Sequence, residues 1–278
     1  MSSNDNVEGI RLNKVFKSTH SRREADKLIA DGRVTINDEL VESMGQRVIP
    51  FKDIVKLDNV IIQGWEAMNA VESTLKTQVF EYIKYWKPLG VTCTTDRSIR
   101  GNIIDALEQD GYVSRNRIYP VGRLDKDTSG LILLTSDGRL PNSVLRGSQK
   151  QPKTYQVVID RNIQENDIQK LRDGVVITTQ AQRDGKRAPP LTARTQPSIV
   201  VQNGPRSLSV TIIEGRNRQV RKMFQAVGYN VIKLHRSNFM ALTLDPLQGP
   251  GDWIPLSPTE TQMMMDAVSS AQKKVDNK

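Results

Sequence analysis

A polar loop between two glycines, followed at once by an apolar run, is the feature that most limits how this chain can fold. Two carboxylates, two cations and two hydroxyls lie between Gly122 and Gly130, and four consecutive apolar residues follow at 131–134. A short apolar run bounded by turn residues is typical of a buried strand. Polar groups at the mouth of such a strand are typical of a site held on a rigid scaffold. The segment therefore predicts a sheet with a functional loop at one strand end.

A small N-terminal domain is predicted at residues 9–62. Helical periodicity begins at Arg11, and the spacing of Ser21 and Glu24 forms a capping box before a second short helix. From Val34 onward, alternating apolar residues and turn signals predict several short strands. The order of these elements predicts an αα-plus-sheet module.

The remainder of the chain predicts a second, larger domain. Residues 63–79 are weakly patterned and are interpreted as a linker, residues 80–258 as the domain itself, and residues 259–278 as a C-terminal helix and tail. Short alternating strands mixed with helical segments indicate an α+β fold with a mixed, largely antiparallel sheet flanked by helices. Residues 179–206 are predicted to be one long loop.

Composition excludes several classes of protein. The single Cys93 excludes a disulfide framework and a cysteine-rich zinc site. Neither His20 nor His235 has the spacing of metal ligands, so no metal site is predicted, and no apolar stretch is long enough for a membrane helix. The net charge is +9, and residues 183–236 carry eleven basic and two acidic side chains. This segment is either a solvated basic face or a surface that contacts phosphates.

Three interpretations of the polar loop compete. As a calcium loop, it would place Asp125, Asp127 and Ser129 at the first, third and fifth positions, but Ser136 stands where a bidentate glutamate is required. As a nucleotide-binding loop, it lacks the glycine and lysine spacing of a P-loop. As a site of RNA modification, it would supply a catalytic aspartate.

A resemblance favours the third interpretation. Residues 122–131 read GRLDKDTSGL and resemble the signature of RNA pseudouridine synthases. Segments similar to the family's other blocks occur in the family's order, namely KPLG at 87–90, KTY at 153–155 and EGRNRQVRKM at 214–223. The last block resembles that of the RsuA-like group, which modifies ribosomal RNA, and favours its large-subunit members.

The N-terminal module resembles the S-four-type RNA-binding domain. The resemblance is carried by IRLNK at 10–14, SRREAD at 21–26 and GRVTIN at 32–37. It implies that a set of basic side chains faces RNA phosphates. These residues are Arg22, Arg23, Lys27 and Arg33.

The resemblance to the synthases assigns roles to particular residues. It implies that Asp125 is the catalytic residue, that Arg221 pairs with it, and that Tyr155 stacks on the target base and assists proton transfer. It also implies that Val220 lies under that base and that Arg123 enters the RNA stack to hold the base out. Further substrate-binding residues are predicted to be Lys153, Arg218 and Lys222.

Several of these roles have structural alternatives. Arg221 could be a surface phosphate ligand, Tyr155 an ordinary strand aromatic, and Arg123 one half of an ion pair. Arg218, Arg221 and Lys222 have the spacing of one helix face. That helix could present cations to RNA while its apolar side packs on the sheet.

The implied reaction is an isomerisation. The bond between the uracil nitrogen and the sugar breaks, the base rotates, and a ring carbon rejoins the sugar. No redox change or hydrolysis occurs, so no cofactor is expected. The ionised aspartate either attacks the sugar or abstracts a sugar proton, and the sequence leaves both open.

The expected partner is RNA, either ribosomal RNA or an assembling ribosomal subunit, with transfer RNA as an alternative and no membrane partner. We expect a monomer that works in the cytoplasm or in an organelle of bacterial origin. A non-catalytic RNA-binding or ribosome-assembly protein is the alternative function, and a metal-dependent phosphodiesterase is another.

Overall fold

The computed structural model describes residues 9–16, 19–20, 22–41, 43, 45–65, 80–113, 115–145, 151–180, 182–183, 186–187 and 189–276. The chain divides into two units, Met1–Val79 and Phe80–Lys278, and each unit has its own hydrophobic core. The predicted cap residue Ser21 and most of the predicted linker, residues 66–79, lie outside the described residues.

The N-terminal unit packs a helix against short strands. The described elements are β1 (Ile10–Arg11), a 3-10 turn (Leu12–Lys14), α1 (Arg22–Ala30), β2 (Val34–Ile36), β3 (Glu39–Leu40), β4 (Arg47–Val48), β5 (Val55–Leu57) and β6 (Val60–Ile61). β3, β2, β5 and β6 form an antiparallel sheet in that order, and β1 pairs with β4.

Two predictions for this unit were wrong in detail. Arg11 pairs with Arg47 as a strand, and the Leu12 amide donates to the Gln46 carbonyl at 2.9 Å. Because the backbone is extended up to Arg11, helical geometry lasts only one 3-10 turn, and the predicted first helix is absent from the described residues. Trp65, assigned to the linker, is 2% exposed and belongs to the N-terminal core.

The second unit is built on a large mixed sheet. The strands of the unit are β7 (Tyr82–Lys87), β8 (Tyr119–Pro120), β9 (Ser129–Thr135), β10 (Lys153–Ile159), β11 (Val176–Thr179), β12 (Gln182–Arg183), β13 (Lys186–Arg187), β14 (Leu191–Arg194), β15 (Ile199–Gly204), β16 (Ser207–Ile212), β17 (Val231–Phe239), β18 (Leu242–Thr243) and β19 (Trp253–Pro255). In the described part of the large sheet they run in the order β15, β16, β10, β17, β9, β7 and β19, with β18 beside β17 and β8 beside β9.

Helices cover both faces of this sheet. They are α2 (Ile103–Gln109), α3 (Leu140–Leu145), α4 (Glu165–Asp173), α5 (Gln219–Ala226) and α6 (Pro258–Asp276). The Asn102 side chain caps α2 by accepting from the Ile104 and Asp105 amides at 3.0 and 2.9 Å. Met264 and Val268 of α6 are buried against the sheet in a core separate from that under α5. Every described helix is too short or too polar to span a bilayer.

Burial follows the sequence pattern in the central strands. β10 and β16 alternate buried and half-buried residues, whereas β9 is buried from Gly130 to its end. An apolar run that lies in the middle of a sheet and is covered on both faces needs no alternation. The apolar run 131–134 is therefore the buried strand that its composition predicts.

The long loop predicted at 179–206 was wrong. β14 pairs with β11, from Val176 opposite Arg194 to Thr179 opposite Leu191. β12 pairs with β13, and β15 begins at Ile199. The alternation in these strands is weak because much of their surface is exposed, so a pattern of buried residues does not mark them in the sequence.

The junction between β9 and β17 positions the polar loop. In the described part of the large sheet every other strand pair is antiparallel, but these two strands are parallel, with Ser129 opposite His235 and Gly130 opposite Arg236. Gly130 has a φ of +110°, and a Cβ there would lie 2.2 Å from the Arg236 carbonyl oxygen. Only glycine permits this approach, and it brings the loop before β9 beside β17 and its neighbour β10.

Candidate active site

A cavity of about 520 Å³ opens beside the polar loop of the second unit. The loop forms one wall, β10 and β17 another, and residues 215–220 a third. The lining residues with groups suited to chemistry or base binding are Arg123, Asp125, Thr128, Lys153, Tyr155, Arg218, Val220 and Arg236. Six of the residues predicted for the site are thus brought together in one cavity.

Backbone hydrogen bonds fix the loop that carries Asp125. The Asp125 carbonyl accepts from the Thr128 amide at 3.0 Å, and the Lys126 carbonyl accepts from the Gly90 amide at 2.8 Å. The Leu124 amide donates to Sγ of buried Cys93 at 3.4 Å. The Asp125 side chain is 34% exposed, so the carboxylate is accessible while its backbone is held.

Arg218 is the cation that the structure places beside Asp125. Its Nη1 lies 3.8 Å from Oδ2 of Asp125, while both of its terminal nitrogens bind the Asp127 carboxylate at 3.0 and 2.8 Å. Arg218 has a φ of +52° and precedes α5 rather than belonging to it. This left-handed residue turns the side chain toward the polar loop.

Arg221, which the resemblance pairs with Asp125, forms its ion pair with Asp127 among the described residues. Arg221 lies 3.2 Å from the carboxylate of Asp127 and donates to the Asp127 carbonyl at 2.7 Å. Its other terminal nitrogen donates to the Val231 carbonyl at 3.0 Å. α5 begins one residue after Arg218, so Arg221 lies in the first turn of α5. From there its side chain contacts Asp127.

Asp127 is therefore the anion that joins the loop to α5. Hydrogen bonds from Arg218 hold the pKa of Asp127 below its ordinary value, against the opposing effect of partial burial, and Arg221 adds to the lowering. The same hydrogen bonds raise the pKa of Arg218. At neutral pH this cluster holds one anion between two cations.

Tyr155 and Val220 form apolar walls of the cavity. Tyr155 is one of the buried residues of β10, and Val220 is buried at the start of α5. Both pack in the main core of the second unit, which holds them rigidly. Together they give the cavity a flat ring and an aliphatic surface, both suited to contact with a planar base.

The other cations predicted for the site differ in position. Lys153 lines the cavity, but its ammonium lies 5.7 Å from the centre of the Phe239 ring and donates to the Gln151 carbonyl. Lys222 lies outside the cavity lining and donates to the Thr178 carbonyl at 2.6 Å. Arg123 is exposed at the rim.

The basic residues predicted for RNA contact in the N-terminal unit are all exposed. Nε of Arg22 lies 3.7 Å from the Asp26 carboxylate. Arg33 donates from Nε to Asp58 at 2.8 Å, so it is already ion-paired. The exposed Arg22 and Arg23 begin α1 and lie on its surface.

Sequence reasoning assigned no role to two buried cations near the loop, although one of them, Lys87, opens the KPLG segment. Arg236 lines the cavity and is 2% exposed. Lys87 is fully buried, donates to the Pro88 and Val91 carbonyls, and has its pKa lowered by burial. The sequence did contain a signal for Arg236. Residues two apart in a strand lie on the same face, so Arg236 shares the inward face of the apolar Leu234.

The donor set of a calcium loop is not assembled. Asp127 is engaged by two arginines, and Ser129 Oγ lies 3.0 Å from Nδ1 of His235. Among the residues that the structure describes, no group of three or more histidine, cysteine, aspartate or glutamate side chains is placed to hold a metal ion.

Comparisons with known proteins agree on one family. A family model described as RNA pseudouridylate synthase matches residues 81–226. The dual-specificity RNA pseudouridine synthase RluF of Escherichia coli (strain K12) is 33% identical over 273 residues, which cover 97% of this chain and 83% of the relative. The ribosomal large subunit pseudouridine synthase B of Bacillus subtilis (strain 168) is 33% identical over 263 residues, covering 91% and 95%.

A solved structure gives the same result for the fold. The crystal structure of a pseudouridylate synthase superposes with a TM-score of 0.60 at 25% identity. The match covers 92% of this chain and 99% of that one.

Proposed function

The chain belongs to the RNA pseudouridylate synthase family, and from this premise we propose that it isomerises uridines in ribosomal RNA with Asp125 as its catalytic carboxylate. The observation that carries the proposal is the position of Asp125. Its carboxylate lines the same cavity as Tyr155 and Val220 and lies 3.8 Å from a guanidinium nitrogen of Arg218.

The chemistry needs an ionised carboxylate near the sugar. Asp125 either attacks the anomeric carbon or abstracts a sugar proton, and both steps require the charged form. Arg218 lies 3.8 Å from the Asp125 carboxylate and is the cation nearest to it among the described ion pairs. Arg221 acts one step away, because it holds the Asp127 carboxylate and carbonyl that shape the loop.

Base binding falls to the apolar walls. Tyr155 stacks on the flipped uracil from one side, Val220 supports it from the other, and the base rotates between them before the new bond forms. Uridine must leave the RNA stack to reach this cavity, which costs a few kcal/mol. Arg123, which is exposed and lines the cavity, fills the gap that the base leaves under this proposal.

The N-terminal unit is proposed to anchor the RNA as an S-four-type domain. Arg22 and Arg23 are its exposed phosphate contacts, whereas Arg33 is engaged by Asp58. The proposal of ribosomal RNA as the substrate is supported by the names of two bacterial relatives. One is called a ribosomal large subunit pseudouridine synthase, and the other a dual-specificity RNA pseudouridine synthase. We place a monomeric enzyme in the cytoplasm, where bacterial ribosomal RNA is made.

The experiment compares wild type with Asp125→Asn on unmodified ribosomal RNA in the presence of a chelator. Pseudouridine is then mapped along the RNA. Wild type is expected to form it at defined sites and Asp125→Asn to form none. Asp173→Asn, at an exposed aspartate of α4, serves as the matched control and keeps full activity. Absence of pseudouridine with wild type on every natural RNA would overturn the proposal.

A further inference from the structure

Arg236 is a buried cation that forms no ion pair with the residues that the structure describes. Its side chain is 2% exposed on β17. Nε donates to the Leu131 carbonyl at 2.8 Å, and the guanidinium carbon lies 5.2 Å from the centre of the Phe239 ring. Nη2 is buried and has no hydrogen-bond partner among the residues that the structure describes.

An unsatisfied buried guanidinium nitrogen requires an explanation. Burying a charge without a partner is costly, and buried polar groups in native proteins are nearly always hydrogen-bonded. Cross-strand pairing sets Arg236 opposite Gly130 on one side and Tyr155 on the other. The residue is therefore fixed in place, and a ligand in the cavity is the natural partner of its free nitrogen.

A second buried polar atom of the cavity also lacks a hydrogen-bond partner among the described residues. Thr128 is 2% exposed and lines the cavity. Its Oγ1 also has no partner within the described parts of the chain. Two such atoms in one cavity indicate a ligand with polar atoms that enters deeply.

The depth of Arg236 identifies the part of the substrate that it meets. Arg123 and Arg218 also line the cavity but are exposed to solvent, where a hydrated phosphate can be bound. Arg236 lies beside Tyr155, which under the proposed function stacks on the uracil. The group that reaches it is thus the edge of the base, and uracil offers two carbonyl oxygens there.

We propose that Arg236 donates a hydrogen bond from Nη2 to a carbonyl oxygen of the flipped uracil and stabilises the charge that develops on the departing base. This inference rests on the proposed function. When the bond between the ring nitrogen and the sugar breaks, its electron pair passes to that nitrogen and spreads onto both carbonyl oxygens. Arg236 keeps its proton throughout. The pair then forms the new bond between the ring carbon and the anomeric carbon, which gives up its ester bond to Asp125, or whose neighbouring carbon takes back the proton that Asp125 removed. The ring carbon loses its hydrogen as a proton, and the ring nitrogen that left the sugar takes up one proton, so atoms and electrons balance.

The test uses single-turnover kinetics on a target RNA carrying either uridine or 5-fluorouridine. The rate measured for both is the disappearance of the original nucleoside, because the ring carbon of 5-fluorouridine has no hydrogen to lose and cannot complete the isomerisation. Fluorine withdraws electrons and stabilises the uracil anion without help from the protein. Arg236→Lys is expected to convert uridine about 100-fold more slowly, the magnitude typical of losing one donor to a developing anion. The RNA dissociation constant is expected to change less than about threefold. With 5-fluorouridine, the deficit is expected to shrink at least about tenfold.

The outcomes separate this proposal from the proposed function. If wild type converts uridine but the Arg236→Lys deficit is equal for both nucleosides, or lies wholly in affinity, Arg236 is structural and the proposal fails. If wild type converts no uridine, the proposed function itself fails. Should Arg236→Lys not fold, wild type is assayed on RNA with 2-thiouridine or 4-thiouridine at the target, since sulfur accepts hydrogen bonds weakly. Normal rates with both nucleosides would overturn the proposal.

Discussion

Nη1 of Arg218 lies 3.8 Å from Oδ2 of Asp125. Arg221, the arginine that the family resemblance pairs with Asp125, donates to the Val231 carbonyl. Arg221 instead binds the neighbouring Asp127 through both its carboxylate and its carbonyl. The two arginines therefore divide the work, one beside the proposed catalytic carboxylate and one supporting the loop that presents it.

The first prediction concerns this division. Arg218→Gln removes the partly exposed ion pair that joins the loop of Asp125 to the start of α5. Such a pair is worth about 1 kcal/mol, and if that energy holds Asp125 in its reactive position, conversion should slow roughly fivefold. Single-turnover rates at saturating enzyme measure the effect. Arg206→Gln, at an exposed arginine outside the cavity lining, is the control. An unchanged rate in Arg218→Gln would assign the support of Asp125 to another group.

The second prediction concerns pH. The pKa of Asp127 is lowered in the folded protein, so its ionised form stabilises the fold above the ordinary aspartate pKa. That contribution is lost as pH falls through the lowered value. Because the Asp127 side chain is 48% exposed, Asp127→Asn should cost at most about 1 kcal/mol at neutral pH. Urea unfolding of both proteins should show this gap closing below about pH 4. A gap that widens in acid would contradict the assignment.

The third prediction concerns Gly130. Alanine there would place its Cβ 2.2 Å from the Arg236 carbonyl oxygen at a φ of +110°, and the strained backbone alone should cost about 3 kcal/mol. Thermal unfolding measures the loss. Gly249→Ala is the matched control, because a Cβ there meets no atom within 4 Å. Equal melting temperatures for the two variants would show that the strands separate easily.

The fourth prediction separates the ring of Tyr155 from its hydroxyl. Tyr155→Phe keeps the stacking surface and should still cleave the uridine bond, whereas Tyr155→Leu loses base stacking worth about 1–3 kcal/mol. Disappearance of uridine and appearance of pseudouridine are followed separately in single turnover. Phenylalanine should delay only the second event. Equal losses of the first event in both variants would place the hydroxyl in bond cleavage.

The fifth prediction concerns RNA affinity. Each phosphate contact that is lost lowers the slope of log affinity against log salt by about 0.7–0.9. Changing Arg22 and Arg23 together to glutamine should therefore reduce the slope by roughly 1–2. Arg33→Gln should change it less, because Asp58 already binds that guanidinium. Filter binding across a salt series measures all three proteins. An identical slope for wild type and the double variant would remove the phosphate role.

Local patterns in the sequence predict much of the fold. The apolar run 131–134 is the buried centre of β9, and the alternation from Tyr155 to Ile159 follows the buried face of β10. These patterns are visible because burial on one or both faces of a strand constrains each residue in turn. The exposed strands within 179–206 lack that constraint, and they were missed.

Site geometry was less predictable, because it depends on backbone turns and on contacts between distant residues. Helical spacing places Arg218 on the same face as Arg221, but the positive φ of Arg218 moves it ahead of α5 and toward Asp127. Arg236 enters the cavity only because β17 runs parallel to β9 at Gly130. Neither a single left-handed residue nor a parallel pairing leaves a periodic signal in the sequence.

The junction of β9 with β17 also has a consequence for the timing of synthesis. The hydrogen bond from Arg236 to the Leu131 carbonyl joins residues 105 positions apart. Because chains fold as they emerge from the N-terminus, the aspartate loop leaves the ribosome long before the strand that completes its cavity. A nascent chain can therefore contain the complete N-terminal unit while β17, which forms part of the cavity wall, has not yet been synthesised. Under the roles proposed for the two units, translation therefore completes the unit that binds RNA before the unit that isomerises uridine.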